Sequence, residues 1–260
     1  MPLTIRILGC SGGACGDLRS TALLLDDSTL VDCGTGVGDL SLEEMARIHD
    51  VFLTHSHLDH VLFLPLLSDA ALALRDGPLT VHALPETLAA LKIHLFNGVL
   101  WPDYTALPSP QSPCIRLQAL ALHETCELAH GRITALPALH AVPAVGYLID
   151  SGRASFAFSG DTTDCAAFWD KLNEVENLQY VMVETTMRDA DSGIAERSRH
   201  TTPALLARGV ARLKKAVQLL VTHIEPDKVE AVRAEIRAAL AGITPPIVPH
   251  FVMRGEVYEL

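Results

Sequence analysis

Apolar residues in the first third of the chain follow first a strand period and then a helical one. Short apolar runs at residues 3–8, 21–25 and 29–31 predict three strands separated by glycine-rich and polar turns. A fourth apolar run begins at residue 51 and leads directly into a turn rich in histidine. From 58 to 74 apolar side chains recur at helical spacing, so this turn is expected to join a strand to a helix.

The remaining chain is predicted to form a β-rich middle and an alternating final third. Residues 79–83 predict a strand, and Pro85 opens an amphipathic helix that reaches about residue 96. We assign the strand candidates of the middle together to a second half-sheet, at 115–121, 124–128, 132–139, 145–149 and 155–158. The final third predicts strands at 180–184, 217–221 and 248–253, with helices at 203–215 and 226–240. This mixture predicts an α/β fold.

The length and the charge of the chain limit its domain count and its partners. With 260 residues the chain can bury a sizeable core, and we expect a single domain over residues 1–260. It carries 20 lysine and arginine residues against 31 aspartate and glutamate residues, a formal net charge of -11, so a polyanion would need a local basic patch. The strongest basic cluster is interpreted as the solvated face of the predicted helix at 203–215: Arg208, Arg212, Lys214 and Lys215.

The lengths of the apolar runs and the spacing of the cysteines bear on the cellular compartment of the protein. No apolar run approaches the length of a membrane-spanning helix, and the amino-terminal apolar stretch is too short for a signal peptide. The six cysteines are scattered without a Cys-x-x-Cys pair, which is typical of reduced thiols at this chain length. These features predict a cytoplasmic protein without a membrane partner.

Four side chains of metal-binding type fall within six positions after the apolar run at residue 51. Residues two apart at the end of an extended strand project to the same side, so His55 and His57 can face one ion. Asp59 and His60 follow on the turn and can face a second ion beside the first. The alternative is a solvated histidine-rich loop, but this density of imidazole and carboxylate favours a metal site. The spacing suits two neighbouring ions better than one.

The motif His55-x-His57-x-Asp59-His60 after a hydrophobic strand resembles the metal motif of the metallo-β-lactamase superfamily. That resemblance implies a four-layer αββα sandwich that holds two divalent metal ions. Zinc is the expected metal, and manganese or iron are alternatives because the same His/Asp set accepts all three.

The resemblance also implies the remaining ligands and how they are shared. His140, Asp161 and His223 stand at strand ends in the order of the later superfamily motifs. One metal is expected to bind His55, His57 and His140. The other is expected to bind Asp59, His60 and His223, with Asp161 bridging the two. Asp32 resembles the buried aspartate that the superfamily places beside the ligands, where an acid orients the imidazoles.

The presence of Glu184 and His200 favours a phosphodiesterase over a thioester hydrolase on this scaffold. They resemble, in order, the glutamate and histidine that the related tRNA 3′-processing endonucleases place at the scissile phosphate. A histidine held by a carboxylate can donate a proton to a departing alkoxide. We group Asp59 with this pair as a third catalytic residue. The alternative for His200 is an ordinary position at the entry of a helix.

The segment from His55 to Ser68 resembles the signature of the class II cyclic-nucleotide phosphodiesterases, which begins His-x-His-Leu-Asp-His and ends near a serine. Phe63 departs from that pattern, which has a small residue at this position. Residues 97–104 and 140–147 also resemble that group, so the similarity extends over most of the chain.

Trp101 and Tyr104 lie in a segment unlike a simple linker, and two interpretations of it stay open. In the first, both side chains wall the substrate cleft, where their rings can stack on a base. In the second, the segment is a capping loop that buries Trp101.

The resemblance therefore implies a dinuclear metal phosphodiesterase that hydrolyses 3′,5′-cyclic nucleotides (cyclic AMP and cyclic GMP) to 5′-monophosphates through a metal-bound hydroxide. The expected partner is a small phosphodiester rather than a nucleic acid, because the chain is acidic and nothing in it resembles a long tRNA-gripping arm. A homodimer is compatible with this interpretation. The alternatives are a tRNA 3′-processing endonuclease, a thioesterase or lactonase on the same scaffold, and a binding protein without activity.

Overall fold

The strands of the computed structural model form two large sheets, and the structure describes residues 2–244 and 246–260. In chain order the strands are β1 (Thr4–Gly9), β2 (Ala22–Leu25), β3 (Thr29–Val31), β4 (Asp50–Phe52), β5 (Leu79–Ala83), β6 (Pro108–Ser109), β7 (Ser112–Pro113), β8 (Ile115–Ala119), β9 (Thr125–Leu128), β10 (Gly131–Pro137), β11 (Val145–Asp150), β12 (Ser155–Phe158), β13 (Leu178–Glu184), β14 (Gln218–Thr222), β15 (His250–Phe251) and β16 (Val257–Glu259). The helices are α1 (Leu42–Arg47), α2 (Leu58–Val61), α3 (Leu64–Ala70), α4 (Pro85–His94), α5 (Ala166–Glu174), α6 (Ser192–Ser198), α7 (Pro203–Val210) and α8 (Val229–Leu240), with short 3₁₀ helices at Thr35–Asp39 and Asp189–Asp191.

Each large sheet has seven strands and contains a parallel block. The first sheet has the order β16-β1-β2-β3-β4-β5-β8, in which β3, β4, β5 and β8 are parallel. The second has the order β15-β14-β13-β12-β11-β10-β9, in which β12 to β15 are parallel. Because β11 pairs antiparallel with both β10 and β12, those two strands run in the same direction. The carboxyl ends of these same-direction strands therefore share one edge of each sheet.

Three apolar clusters hold the layers together and confirm the predicted αββα sandwich. The cluster between the sheets combines Ile5 and Phe52 of the first sheet with Tyr147, Phe156 and Met182 of the second. A second cluster packs α1, α3 and α4 on the outer face of the first sheet, and a third packs α5, α7 and α8 on the outer face of the second. Each sheet is thus buried on both faces, which explains why every residue of strands such as β2 and β12 is buried.

The structure corrects the predicted placement of one strand. The strand predicted at 115–121 was assigned to the second half-sheet, but β8 pairs in parallel with β5 and forms the edge of the first sheet. Helix α4 and residues 95–114 make the crossover between β5 and β8. A parallel partner requires such a crossover, and the alternation of apolar and polar residues in β8 does not reveal which of the two sheets it joins.

The helix predicted over 58–74 is divided into α2 and α3. Pro65 lies in the first turn of α3, where its missing N–H is tolerated, so a new helix begins there. Phe63 precedes α3, and its ring lies so close to Gly38 that a Cβ atom there would stand 2.7 Å from Phe63 Cε2. The glycine thus leaves room for the aromatic ring at the position where the resembling signature has a small residue.

Other differences concern the ends and the number of elements. The helix predicted at 203–215 ends at Val210, and the one predicted at 226–240 begins at Val229. The sequence interpretation omitted α1, α5, α6 and β16 and also the short strands β6 and β7. Of these, α5 carried a usable signal, because Phe168 and Leu172 are four residues apart and both are buried.

The structure also bears on the cysteines and on membrane-spanning helices. All six cysteines lie in the described part of the chain and are free thiols. Among the described residues, no helix combines the length and the apolar character needed to cross a bilayer.

The packing of α7 on α5 generates a stability prediction. A Cβ atom at Gly209 would overlap the indole of Trp169, which is buried and cannot move into solvent. We expect Gly209→Ala to lower the free energy of unfolding by about 1–3 kcal/mol through overpacking, although alanine is the better helix former. Urea denaturation measures this. The matched control is Gly193→Ala in α6, where the nearest atom is the Arg197 Nη1 at 3.8 Å, and equal effects of the two substitutions would contradict the prediction.

Candidate metal centre

The seven predicted metal ligands lie together where the same-direction strands of both sheets end. Their ligand atoms form two groups, and within each group all of these atoms lie within 4.8 Å of one another. The first group is His55, His57, His140 and Asp161; the second is Asp59, His60, Asp161 and His223. The structure thus brings together every ligand position that the sequence interpretation proposed, with Asp161 common to both groups.

Local backbone geometry explains why the motif after β4 can serve both groups. β4 ends at Phe52, and His57, which immediately precedes α2, has an extended backbone. Asp59 and His60 therefore lie in the first turn of α2, and the His60 ring lies 4.3 Å from that of His55. The turn after β3 fixes this helix, because Cys33 N–H donates to the carbonyl of His60 at 2.7 Å.

Two residues of the site have a left-handed backbone. Asp32 has φ 58° and His223 has φ 62°, a region that side-chain-bearing residues rarely adopt. Both follow directly on a strand end, and each is held by an inter-strand contact. Asp32 N–H donates to the carbonyl of Phe52 at 2.9 Å, and His223 N–H donates to the carbonyl of Cys10 at 2.8 Å.

Unpaired buried atoms indicate that these groups fit a cation. His55 Nε2 and Asp161 Oδ1 are buried and have no hydrogen-bond partner among the described residues. His60 Nε2 lies 3.2 Å from His223 Nε2, and His57 Nδ1 lies 3.1 Å from His140 Nε2. Buried polar atoms without partners cost stability, and imidazole nitrogens that converge with a carboxylate form the donor set of a divalent transition metal. The side chains present therefore fit metal ions in both groups.

The charge state of Asp161 supports the same conclusion. Burial favours its neutral form, but the neighbouring His223 and His60 hold the pKa of Asp161 well below its usual range. The carboxylate is ionised and can bind a cation through both oxygens.

Asp32 lies behind the ligands, in the position expected of a residue that orients them. It is completely buried and accepts a hydrogen bond from His60 Nδ1 at 2.7 Å. It also accepts hydrogen bonds from Thr54 N at 2.8 Å and from Thr54 Oγ1, which itself lies 2.9 Å from His55 Nδ1. Thr54 thus connects His55 to the same carboxylate. The sequence interpretation missed Thr54, since a threonine after a strand carries no signal of its own.

Arg199 is a second residue that the sequence interpretation missed. Its Nη1 donates to the carbonyl of His140 at 2.9 Å, and His140 Nδ1 donates to the carbonyl of Arg199 at 3.1 Å. This reciprocal pair fixes the His140 ring and also the loop that carries His200. Arg199 has φ 56°, a left-handed conformation typical of a helix end, since it directly follows α6.

Glu184 and His200 meet beside both ligand groups. His200 Nδ1 lies 2.9 Å from Glu184 Oε1 and 4.0 Å from Asp161 Oδ2. The His200 ring is 5.0 Å from that of His140 and 5.7 Å from that of His223. Burial favours its neutral form, but the carboxylates of Glu184, Asp161 and Asp59 outweigh this and raise the pKa of His200 to about 9. A bound divalent ion would oppose this shift through its own charge.

Trp101 and Tyr104 contact the hydrophobic core and not the ligand groups. Tyr104 is 9% exposed, packs in the core beneath the first sheet's helices and donates its hydroxyl to Asp69. The Trp101 ring packs against the same core, and its Nε1 is buried without a partner among the described residues. These contacts match the capping-loop interpretation. Tyr104 has little free ring surface for stacking on a base, because the core covers it.

The shared carboxylate leads to a prediction about metal content. We expect Asp161→Ala to reduce bound metal more than His57→Ala or Asp59→Ala, because Asp161 belongs to both groups and the other two residues to one each. Elemental analysis of purified protein after dialysis against a defined metal buffer measures this. His130→Ala is the control, since His130 pairs with Asp26 at the surface at 2.9 Å. Wild-type metal content in Asp161→Ala would refute the assignment.

A family model described as "Beta-lactamase superfamily domain" matches residues 28–224, a range that includes all seven candidate ligands. A probable 3′,5′-cyclic-nucleotide phosphodiesterase of Yersinia pestis is 26% identical over 204 residues, which are 69% of this chain and 58% of that relative. A ribonuclease Z of Pyrobaculum calidifontis is 27% identical over 96% of this chain and 95% of its own length. The chain thus spans about three fifths of the first relative and nearly all of the second.

A solved structure agrees with the fold. The unliganded crystal structure of yeast PDE1 superposes with a TM-score of 0.82 at 19% sequence identity, over 100% of this chain and 99% of that one. The family match, the shared fold and the His/Asp ligand groups lead to one conclusion. The chain belongs to the metallo-β-lactamase superfamily of metal-dependent hydrolases and has its fold, with two groups of His and Asp side chains that could each hold a metal ion.

Proposed function

We propose that the protein is a dinuclear metal-dependent phosphodiesterase that hydrolyses 3′,5′-cyclic nucleotides to 5′-monophosphates. The observation that carries this proposal is the contact between His200 and Glu184 beside the two ligand groups. Thioester hydrolysis has no need of a separate proton donor at this place, because a thiolate departs more readily than the 3′ alkoxide of a nucleotide.

The two ligand groups supply the first requirement of phosphodiester hydrolysis. Each group would hold one divalent ion, with zinc as the expected metal, and Asp161 belongs to both groups. Such a pair of ions would supply positive charge at phosphorus and an activated water. Asp59 is the ligand whose side chain is 35% exposed, so it lies on the open side where a phosphate would approach.

His200 supplies the second requirement, a proton for the leaving oxygen. In the imidazolium form both ring nitrogens of His200 carry a proton: Nδ1–H donates to Glu184 Oε1, and Nε2–H is the proton that the leaving group takes. The side chain is 14% exposed, which leaves a path to a bound substrate. Attack of water on phosphorus breaks the bond to the 3′ oxygen, and the proton from His200 neutralises that oxygen as a hydroxyl group.

Glu184 holds His200 in place because its own position is fixed. The carboxylate is fully buried and accepts backbone hydrogen bonds from Thr162 at 3.1 Å, Thr186 at 3.1 Å and Thr201 at 3.2 Å. Thr201 is the next residue after His200. The carboxylate therefore orients both the His200 ring and the backbone beside it, which is the arrangement that efficient proton transfer requires.

The formal charge supports a small substrate. At -11 the chain repels a polyanion at long range, whereas a cyclic nucleotide carries a single negative charge that two bound cations can balance. The Yersinia relative named as a cyclic-nucleotide phosphodiesterase supports the same substrate class. A tRNA 3′-processing endonuclease is the second candidate, and it is supported by the ribonuclease Z relative that matches this chain over nearly its whole length.

The role of His200 is testable with leaving groups of different quality. We expect His200→Ala to slow hydrolysis of cyclic AMP by about 10²–10⁴ and to slow bis-p-nitrophenyl phosphate far less, because nitrophenolate departs without a proton. Steady-state kinetics with both substrates measure this, and elemental analysis should show unchanged metal content. His130→Ala is the control. Equal losses on both substrates would assign His200 another role.

The substrate class is tested by assaying two kinds of phosphodiester, cyclic nucleotides and precursor tRNA. Metal-loaded protein is expected to convert cyclic AMP to 5′-AMP, with one oxygen from ¹⁸O-labelled water on phosphorus, because water attacks phosphorus and the 3′ oxygen departs. Chromatography and mass spectrometry identify the product. Cleavage of precursor tRNA at its 3′ end, with cyclic AMP and cyclic GMP left intact, would replace this proposal by the endonuclease.

A further inference from the structure

The Thr186 hydroxyl lies between the proton-donor pair and a metal ligand. Thr186 is buried, and its Oγ1 is 2.8 Å from Glu184 Oε2 and 3.1 Å from His223 Nδ1. His200 Nδ1 is also near, at 3.2 Å, but this nitrogen already has a partner in Glu184 Oε1 at 2.9 Å. The threonine therefore joins the Glu184 carboxylate to the His223 ring.

Hydrogen-bond chemistry fixes the direction of these two contacts. His223 directs Nε2 at the ligand group, 3.2 Å from Asp59 Oδ2 and 3.4 Å from Asp161 Oδ1. Its Nδ1 must then carry the ring hydrogen and donate it to Thr186 Oγ1. The hydroxyl in turn donates to Glu184 Oε2. The result is one chain of hydrogen bonds from His223 through Thr186 to Glu184.

The same arrangement occurs on the other side of the centre. There His55 Nδ1 lies 2.9 Å from Thr54 Oγ1, and that hydroxyl donates to Asp32 Oδ2 at 2.9 Å. The first sheet provides Thr54 and the second provides Thr186. In each case a threonine passes the orienting effect of a buried carboxylate to a ligand histidine. The repetition in the two halves of the sandwich argues against an incidental contact.

We propose that Thr186 is a positioning residue that couples metal binding at His223 to the proton-donor pair of Glu184 and His200. The inference rests on the function proposed above, and it gives Glu184 two tasks. One carboxylate oxygen orients His200, and the other orients His223 through Thr186. Loss of the Thr186 hydroxyl should therefore weaken metal binding in the second ligand group and also disturb departure of the leaving group.

The neighbouring Thr185 provides a matched control. It is equally buried, lies in the same turn after β13, and its Oγ1 has no hydrogen-bond partner among the described residues. Thr185→Val and Thr186→Val thus make the same change of side chain one residue apart. Only the second removes a hydroxyl that joins two functional groups. Thr186→Ser keeps that hydroxyl and tests rescue.

The experiment measures metal affinity without any substrate. Metal-free Thr186→Val, Thr186→Ser and Thr185→Val are titrated with Zn²⁺ in competition with a chromophoric chelator. We expect Thr186→Val to lower the affinity for one of the two ions by about 10–100-fold, the usual cost of removing a hydrogen-bond partner of a ligand histidine. Thr186→Ser should restore most of this loss, and Thr185→Val should bind as the wild type does. If Thr186→Val does not fold, Thr186→Ala is used in its place.

A second measurement tests the link to the proton-donor pair. We expect Thr186→Val to slow cyclic AMP hydrolysis more than bis-p-nitrophenyl phosphate hydrolysis at saturating metal. In a Glu184→Gln background the same substitution should add little, because Thr186 acts through that carboxylate. Wild-type zinc affinity in Thr186→Val, or equal losses in Thr185→Val, would overturn the proposal. Altered zinc affinity in a protein that hydrolyses no phosphodiester would uphold the metal-positioning role and refute the proposed function alone.

Discussion

The buried charge of Asp161 is the constraint on which the rest of the site depends. Its carboxylate is 2% exposed and has five imidazole nitrogens within 4.0 Å. An isolated buried carboxylate would cost several kcal/mol, so the surrounding groups must compensate it. Imidazole can do so in two ways, by carrying a proton or by holding a cation that the carboxylate also binds. The clustering of histidines around one acid is therefore a requirement of charge balance as much as of metal binding.

The sandwich satisfies this requirement because strands of both sheets end beside the same site. The first sheet contributes Asp32 and the motif from His55 to His60, and the second contributes His140, Asp161, Glu184 and His223. Neither sheet alone carries a complete ligand group, since each group combines residues from both. The apolar cluster between the sheets, with Phe52, Tyr147 and Phe156, thus determines the distances between the two sets of ligands.

Sequence pattern alone predicted the ligands that lie close together in the chain. His55 to His60 lie within six residues, so strand geometry predicted their grouping. His140, Asp161 and His223 are separated from that motif by 80 residues or more, and only the resemblance to a family assigned them. Nothing in the sequence indicated Thr54, Thr186 or Arg199, because each acts through hydrogen bonds that form only after folding. The sheet membership of β8 was missed for the same reason: pairing is a tertiary property.

The division of the ligands between the sheets links metal supply to the integrity of the whole chain. An ion bound in either group would cross-link the two sheets, since its ligands come from both. Any ion that binds the folded state and not the unfolded chain adds stability that grows with the logarithm of its free concentration, about 1.4 kcal/mol for each tenfold excess over the dissociation constant. The protein would therefore be sensitive to metal depletion in its resistance to unfolding and proteolysis as well as in its chemistry.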